Sequence, residues 1–258
     1  MTAATALESL LRRERVLVLA GPLVVAAVCW AWLVPAALDM YGDMDGLAAW
    51  MMQSRWDLTY AALIFGMWAA MMTAMMLPSA APALLIYGHV CRSDPAVASV
   101  ALRVHAFAAG YLLVWAGFSA AATLLQWQLA VSGLLTPMME LGSARVGGAL
   151  LILAGAWQWT PLKRSCLAQC RSPAAFISAH WRRGIAGALR MGVDHGLYCL
   201  GCCWAVMLLL FVGGVMSLAW IAAISVFVLV EKLGPATARG GQLAGAAMVL
   251  GGLAMLLR

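Results

Sequence analysis

The sequence predicts an all-α protein, a polytopic bundle of transmembrane helices, and three observations predict it. Of its 258 residues, 65% are hydrophobic and only 10% are charged, against about 45–50% and about 25% in soluble domains. The apolar residues gather into runs near the 20 residues that cross a bilayer as a helix. No ten-residue alternation suggests a barrel, and helices satisfy their own backbone groups in lipid. The mean hydropathy of +0.92 agrees. A soluble enzyme, a nucleic-acid module and a disordered tail are excluded. The net charge of +6 sits in short loops between apolar runs. The expected partner is therefore the lipid bilayer, and no nucleic acid.

Seven spans are expected, roughly 16–38, 58–78, 101–126, 145–161, 190–212, 215–231 and 241–257. Arg12, Arg13 and Arg15 precede the first, which is long for a signal-peptide core and has no evident cleavage site; it reads as a retained helix. Pro78 closes the second, as a kink or a stop. The fifth is the least regular, since Asp194 and His195 stand near its start. Short connections make the last helices antiparallel neighbours. Gly241, Gly245, Gly251 and Gly252 would let the last helix pack closely inside the bundle. The longest loop, roughly 162–189, is too short for a core of its own, so residues 1–258 form a single integral membrane domain.

Lys and Arg in the short loops set the orientation. Thirteen fall on one side, among them Lys163, Arg164, Arg171, Arg182, Arg183 and Arg190 in the fourth loop. Three fall on the other: Arg55, Arg145 and Arg258. The N-terminus is thus expected in the cytoplasm and the C-terminus outside. The outer first loop is acidic, with Asp39, Asp43, Asp45 and Asp57. Its methionines (Met40, Met44, Met51 and Met52) could collect cations, though an ordinary solvated loop is the plainer reading.

The second span holds Met67, Met71, Met72, Met75 and Met76. At 3.6 residues per turn Met67, Met71 and Met75 stack on one face, with Met72 and Met76 adjoining. Thioether sulfur suits Cu(I) and is poor for Mg²⁺ or Ca²⁺. Methionine is also an adaptable apolar filler. The fifth span is more specific. His195, Cys199, Cys202 and Cys203 follow one another at spacings of three or four, which sets an imidazole and two or three thiols on one side of one helix. Asp194 could orient His195 or neutralise a cation. An ionisable residue within a span is functional by default; the bland reading is that small buried cysteines pack like hydrophobes. With the second span running inward and the fifth outward, both clusters fall within a turn or two of one level, so one shared site is permitted.

Cys166 and Cys170 form a C-x₃-C pair at the cytoplasmic mouth of the fourth span. Neighbouring Lys163, Arg164 and Arg171 would lower the thiol pKa values. A cytoplasmic position disfavours a permanent disulfide. A soft-metal relay, a redox-sensitive pair and incidental thiols stay open. Glu231 and Lys232 close the sixth span as a boundary anchor or a salt bridge. Trp157 and Trp159 fit an aromatic belt.

Several segments together resemble a known family. They are Trp68 to Pro82 with its Ala-Met-Met-Leu-Pro core; Thr160-Pro161-Leu162-Lys163 with Cys166, Cys170, Arg171 and Pro173; Gly201-Cys202-Cys203-Trp204; and Glu231-Lys232. The chain is similar over roughly 60–235 to a bacterial domain-of-unknown-function family of predicted metal-binding integral membrane proteins, some of which are labelled copper chaperones. The resemblance implies a bacterial inner (cytoplasmic) membrane location and a soft metal.

The expected function is binding of a soft metal ion, Cu(I) or another, for copper handling, delivery or transport, and not enzymatic catalysis. The candidate ligands are Met71, Met72, Met75, Met76, His195, Cys199, Cys202, Cys203, Cys166 and Cys170. A metallochaperone or a cuproenzyme assembly factor is the matching protein partner. The alternatives are a membrane thiol-disulfide oxidoreductase and a non-catalytic assembly subunit.

Overall fold

The computed structural model describes residues 3–40, 42, 56–93, 99–234 and 238–257, the side chains at 3–19, 238 and 239 excepted. The outer-loop methionines and acids at 43–52 lie outside these residues. Among the described residues helices dominate, joined by turns and short links and by a longer non-helical connection at 132–143. Among these residues the only bridge is an isolated antiparallel one, Leu135 to Leu141.

Helix α1 spans Ala3–Met40, α2 Leu58–Arg92 and α3 Val100–Val131. Asp57 caps α2 by accepting from Tyr60 N at 2.7 Å. Ser99 caps α3 through Leu102 N at 3.3 Å. Helices α4 (Ala144–Gln158), α5 (Pro161–Arg171) and α6 (Pro173–Ala179) follow. Thr160 caps α5 by accepting from Lys163 N at 3.2 Å, with Pro161 in the first turn where its missing N–H is harmless. Helix α7 spans Gly184–Met207, α8 Leu210–Gly213, α9 Leu218–Leu233 and α10 Ala238–Leu256.

Among the described residues four helical stretches are long and apolar enough to cross a membrane: Ala20–Met40, Leu58–Arg92, Val100–Val131 and Gly184–Gly213. The remaining three expected spans correspond to α4, α9 and α10, of 15, 16 and 19 residues. At a rise of 1.5 Å per residue the first two reach about 22–24 Å, less than the roughly 30 Å of hydrocarbon.

The largest departure from expectation is α2. It does not stop at Pro78 but runs through Pro78 and Pro82 to Arg92. Proline removes an amide donor and frees the carbonyl four residues back; such groups in apolar bundles are recaptured by neighbours. Here Trp30 of α1 does so, donating its indole N–H to the Ala74 carbonyl.

Close helix approaches are made by glycines. Gly110 on α3 lies against the Leu189 carbonyl of α7, and Gly192 on α7 against the Phe107 carbonyl of α3. Any side chain there would meet backbone. Gly155 and Gly245 do the same between α4 and α10, as do Gly148 and Gly252. The last helix therefore does pack through its glycines, but against α4 and not inside the bundle. Leu243 and Leu250 on it face outward. Helices α2, α3 and α7 enclose the core, and α5 lies against α7.

Candidate functional site

The α3–α7 glycine contact presses Tyr111 against Cys199. The Tyr111 hydroxyl stands 2.9 Å from Cys199 Sγ and 3.1 Å from the Met76 carbonyl of α2. Met76 Sδ in turn lies 4.0 Å from Cys203 Sγ. Sulfur from the second and fifth expected spans thus converges, as the level argument permitted. Cys199, Cys202 and Cys203 are all buried and none faces outward. The Cys202 and Cys203 thiols both donate to the Cys199 carbonyl at 3.0 Å.

Helix α5 completes the cluster. Gly201 on α7 leaves room for Cys166: a Cβ at position 201 would stand 2.6 Å from Cys166 Sγ. One turn on, the Cys170 thiol interacts with both Cys199 and Cys202. Trp157 fixes the same stretch of α7 by donating to the Gly201 carbonyl at 3.1 Å, and packs edge-on against Trp204 at 5.1 Å. It is half-buried and packs against the core. Trp159 stays exposed and donates to the Gln242 carbonyl.

The electrostatics of α5 differ from expectation. The Cys166 thiol is pushed up by burial. The Cys170 thiol is raised well above its ordinary range by hydrogen bonding with Cys199 and Cys202, and further by burial. Two of the three basic neighbours are engaged elsewhere, while Arg164 is exposed. Lys163 is buried and donates to both Glu231 carboxylate oxygens, at 2.6 and 2.7 Å, and to the Gln158 side-chain oxygen. Arg171 Nε donates to the Glu231 carbonyl at 2.7 Å. Glu231, read as a boundary anchor or a salt bridge alongside Lys232, pairs instead with Lys163 and clamps α5 onto α9.

Lys232, the next residue, points the other way. Successive helical residues diverge by about 100°, so Lys232 cannot share the partners of Glu231. Its ammonium donates to Cys199 Sγ at 2.8 Å and Ser79 Oγ at 3.0 Å, with Met76 Sδ at 3.9 Å. Sequence reasoning missed Lys232, Tyr111 and Ser79. The available signal was a lysine closing an apolar run, where an ionisable group is functional by default.

The other candidates are distributed around this centre. Met71, Met72 and Met75 are buried in α2, within the core. His195 is buried among rings, 5.0 Å from Phe176, 5.8 Å from Phe107 and 5.9 Å from Tyr111. Its Nδ1 has no hydrogen-bond partner, so Asp194 does not orient it through that atom. Among the described residues no three His, Cys, Asp or Glu side chains stand as a ready-made metal cage. Lys232 occupies the space beside Cys199, and His195 is turned into the aromatic pocket. The donor set is nevertheless soft: thiols and thioether, the atoms that select Cu(I).

A family model described as PpoB2, copper chaperone, matches residues 65–255. The chain belongs to this copper chaperone family. No curated protein and no solved structure matches it. The matched region contains every candidate ligand named above and Lys232, while α1 precedes it. The family's label is copper chaperone, and the sulfur cluster is a soft donor set of the kind that selects Cu(I).

Proposed function

We propose that the protein binds Cu(I) at the junction of α2, α5, α7 and α9, and hands it on as a carrier rather than an enzyme. One observation carries this reading: Met76 and Cys203, on different long helices, meet sulfur to sulfur at 4.0 Å beside Cys199. Burial excludes water, and the donors are those that prefer a monovalent soft ion over harder competitors. Cys170, half-buried on α5, offers a thiol between the buried cluster and the surface, where a metallochaperone or a cuproenzyme assembly factor could exchange metal. The site lies in a multi-pass protein of the bacterial inner membrane. In this reading it has seven spans, the bilayer thinning around the short α4 and α9 and α10 completing the set, with a cytoplasmic N-terminus and an external C-terminus. The asymmetry of Lys and Arg supports that orientation.

The test is a Cu(I) competition titration of the purified protein in detergent, against a soft chelator. The wild type should hold copper. C199S and C203S should each weaken it by at least about tenfold, since even outer-shell changes at metal sites cost about 10–100-fold. Unchanged affinity in both variants would remove the reading. A mixed disulfide trapped on Cys199 or Cys202 in place of bound metal would favour thiol exchange instead.

A further inference from the structure

Lys232 is buried, 5% exposed, and among the described residues no carboxylate lies within salt-bridge distance of it. A buried charge of this kind is normally paired. Here sulfur takes the place of the anion: the ammonium rests on Cys199 Sγ at 2.8 Å, with Met76 Sδ at 3.9 Å, and Ser79 Oγ holds it from the side at 3.0 Å. Cys199 and Met76 are also two of the donors assigned to copper above. Two unit cations repel strongly at such separations in a low-dielectric interior, so an ammonium and a metal ion cannot share one sulfur.

We propose that the Lys232 ammonium is a tethered stand-in cation that occupies the sulfur site until Cu(I) displaces it. The inference rests on the copper reading of this site and adds its regulation. On Cys199, held as a thiolate by the ammonium, one cation replaces another and no electron moves; Cys203, whose thiol donates to the Cys199 carbonyl, releases its proton as it ligates the metal. Lys232 is a positioning residue: it keeps the donors together and the charge balanced without metal, and its return favours release of copper to a partner. The arrangement also accounts for the lack of a ready-made metal cage among the described residues. The donors are gathered around an ammonium, whose hydrogen-bond geometry differs from that of a metal. Ser79 has a defined part, because its hydroxyl donates to the Met76 carbonyl at 2.7 Å and so presents a lone pair to Lys232.

The experiment compares Cu(I) affinity and release rate for wild type, K232Q, K232R and S79A. A ligand that must wait for a minor open state binds more weakly by the fraction of time the state is open. Removing the stand-in cation in K232Q should therefore tighten Cu(I) binding by about tenfold or more, and slow its release to a chelator in proportion. K232R keeps a cation and should remain within about threefold of wild type by the same argument. S79A loosens the ammonium and should tighten binding by a smaller factor, a change that a purely structural serine would not produce. Binding that is unchanged or weaker in K232Q and in S79A would overturn the inference, because Lys232 would then assist metal rather than exclude it. If K232Q does not fold, S79A decides alone. Failure of the copper reading itself looks different: the wild type would hold no copper, or C199S would hold as much as wild type.

Discussion

Trp30 Nε1 donates to the Ala74 carbonyl at 3.0 Å, and Ala74 is the residue four positions before Pro78. The indole of α1 thus makes the hydrogen bond that proline withholds from α2. This lets the helix carry Met71 to Met76 on past two prolines without a break. Trp30→Phe should leave that carbonyl unpaired in an apolar interior, at a cost of about 1–3 kcal/mol. Pro78→Ala restores an amide donor at the same place, so the double variant should regain most of the loss. A double-mutant cycle on detergent unfolding checks it; additive effects would show that the two groups are not coupled.

The pair Lys163–Glu231 joins the sulfur-bearing α5 to α9. Both side chains are largely buried, at 2% and 10% exposure. Removing one partner strands the other charge, which costs about 3–5 kcal/mol, while replacing both by apolar groups is often neutral. Glu231→Gln should therefore destabilise strongly, and Lys163→Met with Glu231→Leu should recover most of the loss. Urea unfolding in detergent measures both. The release of α5 in Glu231→Gln should also appear as faster alkylation of Cys166.

Burial raises the Cys166 thiol, and its contacts with Cys199 and Cys202 raise Cys170. A thiol with a raised folded pKa stays protonated to higher pH than in the unfolded chain. Its contribution to stability is complete below the ordinary thiol pKa and is lost as pH rises through the folded value. Alkylation of Cys166 and Cys170 by a maleimide should accordingly be slower than for a free thiol at pH 7.5, with midpoints displaced upward. Unfolding stability should fall as pH passes above about 8.5, and less so in C166S/C170S. A midpoint at or below that of a free thiol would show the loop cations acting on these residues after all.

The helical class and the sulfur clusters were legible because both depend on local pattern: apolar runs, and spacings of three and four. The meeting of Met76 with Cys203 was legible in part, since depth follows from direction and rise. What the pattern did not carry was side-chain direction at the helix ends. Lys163 and Lys232 both read as loop charges facing the cytoplasm; the structure turns one to Glu231 and the other to Cys199. Long flexible stems choose buried partners that only the packing supplies. Pro78 misled for a related reason, because the donor that rescues α2 belongs to another helix. His195 has the right spacing to join the thiols, yet the rings of Phe107, Tyr111 and Phe176 set its environment.

The distance of Tyr111 from Cys199 depends on how closely α3 and α7 approach, and Gly192 sets that approach. A side chain there would run into the Phe107 carbonyl, a backbone atom that cannot turn aside, so the helices must part. Phe107 is one turn before Tyr111 on α3, which places the disturbance next to the sulfur cluster. Gly117, also on α3, has open space where a Cβ would go. Gly192→Ala should destabilise by about 1–3 kcal/mol, as overpacking does, and weaken Cu(I) binding by separating Tyr111 from Cys199. Gly117→Ala should instead stabilise by up to about 1 kcal/mol from helix propensity alone and leave copper affinity unchanged. Thermal unfolding and the chelator competition, run on the two variants side by side, separate close packing from propensity. Equal behaviour of the two would mean that the α3–α7 contact does not hold the site together.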